Sequence, residues 1–334
     1  MAAYIFRRFL SLLAVLFCVV SITFFLIRLA PGGPFSSERK IPASIEKQLL
    51  LKYKLDGPEG RAMGERLARK LGMGAGAVET TGAVFSVGEQ YFLYLWDLLH
   101  GDLRLSTKYK NRTVNELLAQ TLPVSALLGG AAFFIAAFAG VWLGSLAAAR
   151  HHTAVDAASM LAALFAISAP AFISGPLLVY YFGLKLGWLP VGGWGSWSCV
   201  ILPAITLAGP YVAYVARLMR TSMLEVLGQD YIRTARAKGL PERVVIYKHA
   251  LKAAILPVVS YLGPLAANLL TGSIVVETIF NIPGAGPFFV NSIQNRDGFL
   301  LGGVVIVYCT LLVLMNLAAD LAYGFLDRRI KLDA

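Results

Sequence analysis

Charged residues are scarce in this sequence, and they are unevenly spread. Asp, Glu, Lys and Arg make up only 15% of the 334 residues, and they fall in clusters separated by long uncharged runs. A lipid bilayer imposes this pattern, because a charge at its centre costs about 3 kcal/mol or more. The hydrophobic fraction of 57% also exceeds the roughly 45–50% of soluble domains. These values exclude an ordinary water-soluble globular protein and predict a membrane protein.

The sequence also lacks the residue sets that catalysis and metal binding need. Its three cysteines have no metal-ligand spacing, and Cys18 and Cys309 lie in apolar runs that predict buried thiols. Paired carboxylates and a Ser/His/Asp arrangement are missing, which disfavours a membrane-embedded hydrolase. His151 and His152 show no partner carboxylate or cysteine close by, so they are interpreted as a cytoplasmic turn. We therefore expect no catalytic residue, no metal site and no cofactor in this chain.

A surplus of basic residues gives the chain a net charge of +11. Such a surplus is found in nucleic-acid-binding proteins, and also in membrane proteins whose Lys and Arg collect on cytoplasmic loops. No basic stretch carries the interleaved aromatic residues of a nucleic-acid surface. The expected partner is therefore a lipid bilayer and not a nucleic acid.

Six stretches of mostly apolar residues reach the roughly 20 residues that a bilayer-spanning helix needs. The first resembles a signal peptide, but its apolar core is too long and its end lacks an Ala-x-Ala cleavage pattern. It is therefore interpreted as a retained helix. The predicted spans are Phe9–Ala30, Leu122–Ala149, Ala157–Phe182, Val200–Met219, Ala253–Val276 and Leu300–Phe325.

The basic residues predict how these spans are oriented. From Arg217 to Lys252 there are eight Lys or Arg residues against three acidic residues. Arg150 and the basic residues at both chain ends fall on the same side by alternation. Because cytoplasmic loops carry the excess of Lys and Arg, both termini are expected in the cytoplasm. The sequence thus predicts an all-α, multi-pass protein of the bacterial inner (plasma) membrane.

One long segment separates the first two spans. We expect a first transmembrane helix over residues 1–30, a periplasmic loop over 31–118 and a five-helix core over 119–334. The loop has eight glycines between Gly57 and Gln90, which predict a mobile segment around a basic, helix-compatible stretch. The aromatic run Tyr91–Trp96 that follows predicts a helix at the membrane interface.

The cytoplasmic connection at about 223–252 has the most specific pattern in the chain. Its two helical segments are separated by Gly239–Pro241, since glycine closes a helix in the left-handed conformation and proline suits the first turn of the next. The small residues Thr234, Ala235 and Ala237 are predicted on an exposed face, where the groove of a partner can approach closely. The alternative is a solvated amphipathic elbow without a partner.

A few polar residues lie within or beside the predicted spans. Asn268, Ser273 and Glu277 lie in the fifth span or at its end, and polar groups inside a membrane often mark a transport path. For the charged residues at span ends the alternative is snorkelling to the headgroups or pairing between helices, and these residues are Arg28, Arg217, Glu277 and Asp320. The candidate translocation path comprises Asn268, Ser273 and Glu277, of which Glu277 is the strongest candidate.

The connection at about 223–252 resembles the cytoplasmic coupling loop of ABC-importer inner-membrane permeases, in the form typical of the peptide/nickel branch. The matching residues are Tyr231–Leu240, His249–Leu251 and Leu256–Pro257. Similarity to the oligopeptide permeases of that branch is also carried by Arg28–Phe35, Ser168–Phe172, Gly187–Pro190, Gly272–Phe280 and Ile282–Gly286.

This resemblance implies a type I ABC-importer permease fold with six transmembrane helices and both termini in the cytoplasm. It does not extend over about 58–90, which looks like an insertion into the periplasmic loop. A glycine is usual where Arg104 stands, so the resemblance does not define the geometry of the local turn. The residues implied to couple the permease to its ATPases are Asp230, Arg233, Thr234, Ala235, Arg236, Ala237, Lys238, Gly239, Leu240 and Pro241.

Partners and cargo follow from the resemblance alone. It implies a homologous second permease, two cytoplasmic ABC ATPases that bind ATP and Mg, and a periplasmic substrate-binding protein. The chain has no Gly-x-x-x-x-Gly-Lys-Ser/Thr phosphate loop, so ATP hydrolysis is assigned to the partners. The implied cargo is an oligopeptide, with dipeptides, nickel complexes, haem and glutathione as alternatives. A stand-alone channel or a secondary transporter is the alternative from another class, although neither needs a docking loop.

Overall fold

A computed structural model of the chain describes residues 2–29, 48–49, 52–54, 56–270 and 272–326. Within these residues the backbone is mostly helical, with an isolated β-bridge between Leu105 and Thr113. The helices in chain order are α1 (Ala2–Leu29), α2 (Pro58–Lys70), α3 (Ala75–Leu99), α4 (Val114–Ala149), α5 (Ala154–Ser168), α6 (Ala171–Lys185), α7 (Ser198–Leu227), α8 (Asp230–Ala237), α9 (Glu242–Ala254), α10 (Leu256–Leu270), α11 (Ile274–Ile279), α12 (Gly286–Gln294) and α13 (Gly298–Leu326). The predicted all-α class agrees with this architecture.

Among the described residues, four helices are long and apolar enough to cross a membrane by themselves. They are α1 through its segment Leu10–Arg28, α4, α7, and α13 through its segment Gly298–Ala318. Two further pairs qualify only when each is taken as one broken span. These are α5 with α6, bent by 107°, and α9 with α10, bent by 53°. The described part of the chain thus holds four to six candidate spans.

The predicted third and fifth spans are not single straight helices. The third, Ala157–Phe182, breaks at the extended pair Ala169–Pro170 between α5 and α6. A residue before proline avoids the helical conformation, so the chain turns there. The fifth, Ala253–Val276, bends between α9 and α10, and α10 ends at Leu270. Val276 belongs to the separate short helix α11.

The chain divides into two compact units, which are described one at a time. Unit 1 comprises residues 1–16, 120–287 and 307–334, and unit 2 comprises residues 17–119 and 288–306. Unit 1 therefore contains α5 to α11 with the predicted coupling loop. Unit 2 contains α2, α3 and most of α12.

In unit 1, α4 and α7 are in backbone contact. A Cβ atom added at Gly140 would lie 2.6 Å from Val215 Cβ, and one added at Gly144 would lie 2.4 Å from the carbonyl oxygen of Ala216. Small residues four apart let membrane helices approach this closely. The approach brings α7 into an apolar cluster that includes Met219 and side chains of α4, α8, α9 and α10.

In unit 2, α2 and α3 form a helical hairpin, and glycines allow the two helices to pack closely. A Cβ atom at Gly60 or Gly64 would lie only 2.4 or 2.7 Å from the carbonyl oxygens of Phe85 and Thr81. The expectation of a mobile segment is therefore wrong for these residues. Their glycines are spaced for one helix face, where they remove the side-chain bulk that would keep the two helices apart. The helix expected for the basic stretch is confirmed as part of α2.

The aromatic run Tyr91–Trp96 lies in the last turns of α3 and packs against α1. The rings of Tyr91 and Tyr94 lie 5.1 and 5.5 Å from the ring of Phe24 between centroids. Cys18, predicted to be buried, is exposed. It lies two residues before Val20, which is part of this buried cluster, and side chains two apart on a helix point in different directions.

At Arg104 the turn after α3 has a backbone conformation of the kind that glycine favours. Arg104 has a φ of +67°, a conformation that favours the glycine expected from the resemblance. Its buried side chain donates from Nε to Asp97 Oδ2 at 2.7 Å. The rings of Tyr94 and Phe299 each lie 5.4 Å from the guanidinium. The ion pair and the two rings hold an arginine where the backbone alone would prefer glycine.

Candidate functional site

Helix α8 is fastened to unit 1 along one face. Ile232 is fully buried, and Ala235 is only 7% exposed. Both belong to the apolar cluster that also contains Val245 and Ile246 of α9. Since the two anchoring residues are three apart, they lie on the same side of the helix. The first helix of the predicted coupling loop is therefore a fixed part of the unit 1 core.

The outer face of the loop is exposed. The small-residue face expected from the sequence needs one correction, because Ala235 points inward while Thr234 and Ala237 are exposed. The reason is the helical period, which places Ala235 beside Ile232. The exposed residues of the predicted loop are Asp230, Arg233, Thr234, Arg236, Ala237, Lys238, Gly239, Leu240 and Pro241.

The turn between α8 and α9 has the predicted form. Gly239 has a φ of +76°, and its amide donates to the carbonyl oxygen of Arg236 at 2.9 Å. Pro241 is extended and immediately precedes α9. A Cβ atom at Gly239 would meet no other atom within 4 Å. The turn is thus open on its outer side, and glycine is needed for its backbone conformation and not for its internal packing.

Charged pairs lie along the same surface. Arg236 donates to the two carboxylate oxygens of Glu242 at 3.2 and 2.6 Å, and this hydrogen bonding raises the pKa of Arg236. A second pair joins Arg233 and Asp230 at 3.5 Å. Exposed pairs contribute only about 0–1 kcal/mol each. Their effect here is to orient the guanidinium groups on a surface that stays accessible.

A second polar cluster of unit 1 was missed in the sequence. Asp156, at the start of α5, accepts hydrogen bonds from Arg220 of α7 at 2.6 and 2.7 Å. The ring of His151 lies 3.0 Å from the same carboxylate, and the amide of His152 donates to it at 3.3 Å. The histidines do lie in a turn, but the expectation that they lack a carboxylate nearby is wrong. The signal was Asp156 itself, one helical turn further along.

Glu277 occupies a closed compartment in unit 1. It is fully buried, and its carboxyl oxygens accept hydrogen bonds from Ser125 Oγ at 2.7 Å and from the Gly286 amide at 2.9 Å. Ser125 Oγ in turn accepts a hydrogen bond from the Ala285 amide at 2.8 Å. Burial raises the pKa of Glu277, and these hydrogen bonds only partly offset it. The carboxyl group therefore ties α4 to the turn at 284–286.

The other two path candidates lie in different settings. Ser273 caps α11, where its side chain accepts a hydrogen bond from the Val276 amide. Asn268 is exposed on α10 and donates from Nδ2 to the hydroxyl of Tyr211 at 3.0 Å. The structure therefore places Ser273 at the start of α11 and Glu277 within it, and it gives Asn268 a tyrosine neighbour on α7. Neither Ser125 nor Tyr211 was singled out in the sequence.

No group of three or more His, Cys, Asp or Glu side chains in the described part of the chain could hold a metal ion. The charged and polar clusters found here are built from one or two carboxyls with arginine, histidine, hydroxyl or amide partners. Their geometry suits docking and positioning.

The family described as "Binding-protein-dependent transport system inner membrane component" matches residues 140–332. The matched segment is more than half of the chain and includes the whole of α8 and its turn. The chain belongs to this family. It is accordingly a multi-pass permease of the inner membrane, as the sequence pattern predicted.

Curated relatives of this permease match over nearly its full length. The oligopeptide transport system permease protein OppB of Salmonella typhimurium is 42% identical over 333 residues, which cover 99% of this chain and 100% of that protein. OppB of Escherichia coli has the same identity and coverage. The dipeptide transport system permease protein DppB of Bacillus subtilis is 40% identical over 332 residues, 99% of each chain. The resemblance to ABC-importer permeases of the peptide branch is confirmed.

Proposed function

We propose that this permease is one of two homologous transmembrane subunits of an ATP-driven importer, and that they form the path for oligopeptides delivered by a periplasmic binding protein. The observation that carries the proposal is the coupling loop, whose inner face is locked into unit 1 and whose outer face is exposed. The names of the OppB relatives favour oligopeptides. The dipeptide permease at 40% identity keeps dipeptides as the alternative cargo.

The loop suits the transmission of movement between proteins. Because Ile232 and Ala235 are buried, a force on the exposed face moves α8 as a rigid piece with α9 and the surrounding cluster. Only Gly228 and Gln229 separate α7 from α8. Two cytoplasmic ATPases that close on ATP and Mg would thus shift α7 and α9 together. The permease would alternate between inward-open and outward-open states, and the loop would act as part of a two-state device.

The proposed topology counts each bent pair as one span. This gives six spans with both termini in the cytoplasm, and it places the loop at 31–118 in the periplasm and the coupling loop in the cytoplasm. The large excess of basic residues between Arg217 and Lys252 supports this orientation. The bends in the two broken spans suit a transporter, since broken helices are tolerated where they line a cavity.

We propose that the path candidates act in translocation in two different ways, and these candidates are Asn268, Ser273 and Glu277. Asn268 is exposed, so it is placed to meet cargo directly. Glu277 is fully buried and Ser273 caps its helix, so these two would act by positioning the turn at 284–286. A positioning role for Glu277 agrees with a carboxyl group whose two oxygens are both hydrogen-bonded inside the chain.

The test is Gly239→Arg in the complete importer, reconstituted in lipid vesicles with its ATPases and binding protein. The variant should insert into membranes normally but lose most peptide uptake, at least about tenfold, because the new side chain projects from the face that docks the ATPase. Uptake of labelled oligopeptide and ATP hydrolysis are measured together. Normal uptake by Gly239→Arg would overturn the docking assignment.

A matched control separates docking from backbone strain. Gly187 also has a positive φ, +64°, and a Cβ atom there would likewise meet nothing within 4 Å. Gly187→Arg therefore imposes similar strain on a different loop and should keep its uptake. If both variants lose uptake equally, the effect is strain and the proposal loses its support.

A further inference from the structure

Two exposed faces of unit 1 differ sharply in chemistry. On α4, Phe134, Phe138 and Trp142 follow one another at four-residue intervals and are 59%, 73% and 60% exposed. This stripe is aromatic and largely apolar, which suits contact with lipid chains. On the adjoining helices α7 and α10, Tyr214 and Asn268 are exposed and Tyr211 and Tyr261 are half-buried, although other exposed positions of α7, such as Ile201 and Ile205, are apolar. This part of α7 and α10 thus carries hydroxyl and amide groups at a surface where the α4 stripe carries aromatic rings without hydroxyl groups.

The polar face is a connected surface. Asn268 Nδ2 donates to Tyr211 Oη at 3.0 Å, and the rings of Tyr214 and Tyr261 lie 4.4 Å apart between centroids. Tyr214 is 46% exposed. We call these four residues the tyrosine face. They pair across two helices, so the face is part of the folded unit and not a chance alignment on one helix.

Lipid is an unsuitable neighbour for this face. Polar side chains within membrane spans are costly against hydrocarbon, and they turn toward the bundle interior or a water-filled cavity. The tyrosine face also lacks the composition of a permanent helix–helix contact. Such contacts favour small residues that let backbones approach, as Gly140 and Gly144 do between α4 and α7. The tyrosine face instead consists of three large phenol rings and one amide.

The chemistry of the face fits an extended peptide. Its phenol and amide groups are neutral, and together they offer both donors and acceptors. They therefore complement the N–H and C=O groups that every peptide carries, whatever its side chains. The aromatic rings add contact area for apolar side chains without selecting among them. A charged lining would favour one class of peptide over another, whereas this surface is indifferent to charge.

We propose that the tyrosine face, Tyr211, Tyr214, Tyr261 and Asn268, is a contact surface for the backbone of peptides in transit. The inference rests on the proposed function as a peptide importer. It adds three tyrosines to the proposed path. It also says how the path would recognise a peptide, namely by hydrogen bonds from uncharged side chains to the peptide backbone. Asn268, whose bond to Tyr211 orients both side chains, is the polar end of this surface.

The experiment places a photoreactive phenylalanine analogue at position 214 or at position 138 of the complete importer in lipid vesicles. A labelled oligopeptide is supplied with binding protein and ATP, and the samples are irradiated. We expect the peptide to be captured at position 214 and not at position 138. Capture at neither position, or equally at both, overturns the tyrosine face as a peptide contact.

Uptake kinetics give a second readout. Tyr214→Ala should raise the KM for peptide uptake by about tenfold, and Tyr214→Phe by less, because the latter loses only the hydroxyl group. Phe138→Ala serves as the control and should leave KM unchanged. If Tyr214→Ala instead prevents the second permease from co-purifying, the face is a subunit interface and the inference is overturned.

The two proposals can fail separately. If the unaltered importer takes up no peptide, the proposed function is wrong. If it takes up peptide and Tyr214→Ala does so with the same KM and no loss of assembly, the importer assignment stands and the tyrosine face alone is refuted.

Discussion

Two buried carboxyl groups of unit 1 are accommodated in opposite ways. Asp156 is 5% exposed, and Glu277 is fully buried. Asp156 meets the guanidinium of Arg220, which donates to both of its oxygens. Glu277 receives a hydroxyl and a backbone amide instead. Glycines surround it, so that a Cβ atom at Gly284 would lie 2.4 Å from its Cδ.

The difference shows that the groups available around a buried carboxyl determine how it is stabilised. Asp156 begins α5 and lies beside Arg220 of α7, which belongs to the basic segment from Arg217 to Lys252, so a charged partner is available. Glu277 lies on α11 and has only neutral donors, and burial raises its pKa. One group depends on a countercharge, and the other on space and hydrogen-bond donors. Single substitutions can remove the countercharge or the space without affecting the other group.

The largest effect is expected where space is removed around Glu277. Gly284→Ala would place a methyl group 2.4 Å from Glu277 Cδ and 2.6 Å from Ser125 Oγ. The turn must move, and stability should fall by about 3 kcal/mol. The measurement is the thermal unfolding midpoint in mild detergent. Gly130→Ala on α4, which meets no other atom within 4 Å, is the control, and an equal loss there would contradict the space argument.

A smaller loss is expected when the countercharged pair is broken. Asp156→Ala leaves Arg220 partly buried without its carboxylate, which should cost about 2 kcal/mol. Glu242→Ala is the matched control, because its pair with Arg236 has the same 2.6 Å separation but is exposed; it should lose less than about 1 kcal/mol. Adding Arg220→Met to Asp156→Ala should recover part of the loss. No recovery would show that the ion pair is not what Asp156 contributes.

The smallest effect concerns pH. Because the folded-state pKa of Glu277 is raised, its contribution is complete at pH values below its ordinary range and declines as pH rises through the folded-state pKa. The decline is at most about 1.4 kcal/mol per pH unit for one proton. Glu277→Gln should remove this slope from the pH dependence of the unfolding midpoint, at a fixed cost of about 1 kcal/mol. A slope unchanged by the substitution would assign the pH dependence to other groups.

The sequence predicted local features more reliably than packing. The turn at Gly239 was predictable because left-handed glycine followed by proline is a local backbone preference. The inward direction of Ala235 was not, because an alanine fits a buried or an exposed position equally well. The glycines of the α2–α3 hairpin were interpreted as a sign of a mobile segment, because a glycine can serve either a flexible loop or a close helix contact. Glycine spacing alone does not reveal whether a second helix will approach.

The candidate site likewise has parts that could be predicted from the sequence and parts that could not. The predicted coupling loop could be recognised by its motif, since its residues are contiguous in the chain. The Asp156–Arg220 pair, the Ser125–Glu277 bond and the tyrosine face each join residues far apart in sequence. Such pairings depend on which helices become neighbours. A single sequence carries that information only through the whole fold.

The sequence by itself determined that this chain is a helical membrane protein of the binding-protein-dependent transport family, and it predicted a coupling loop. Composition, apolar run length and local turn chemistry act over short distances, so they can be read along the chain. Only the tertiary structure decided where two spans bend, how α8 is anchored and which partners the buried acids receive. These outcomes depend on close packing between distant segments, where differences of a few tenths of an ångström decide which side chains fit.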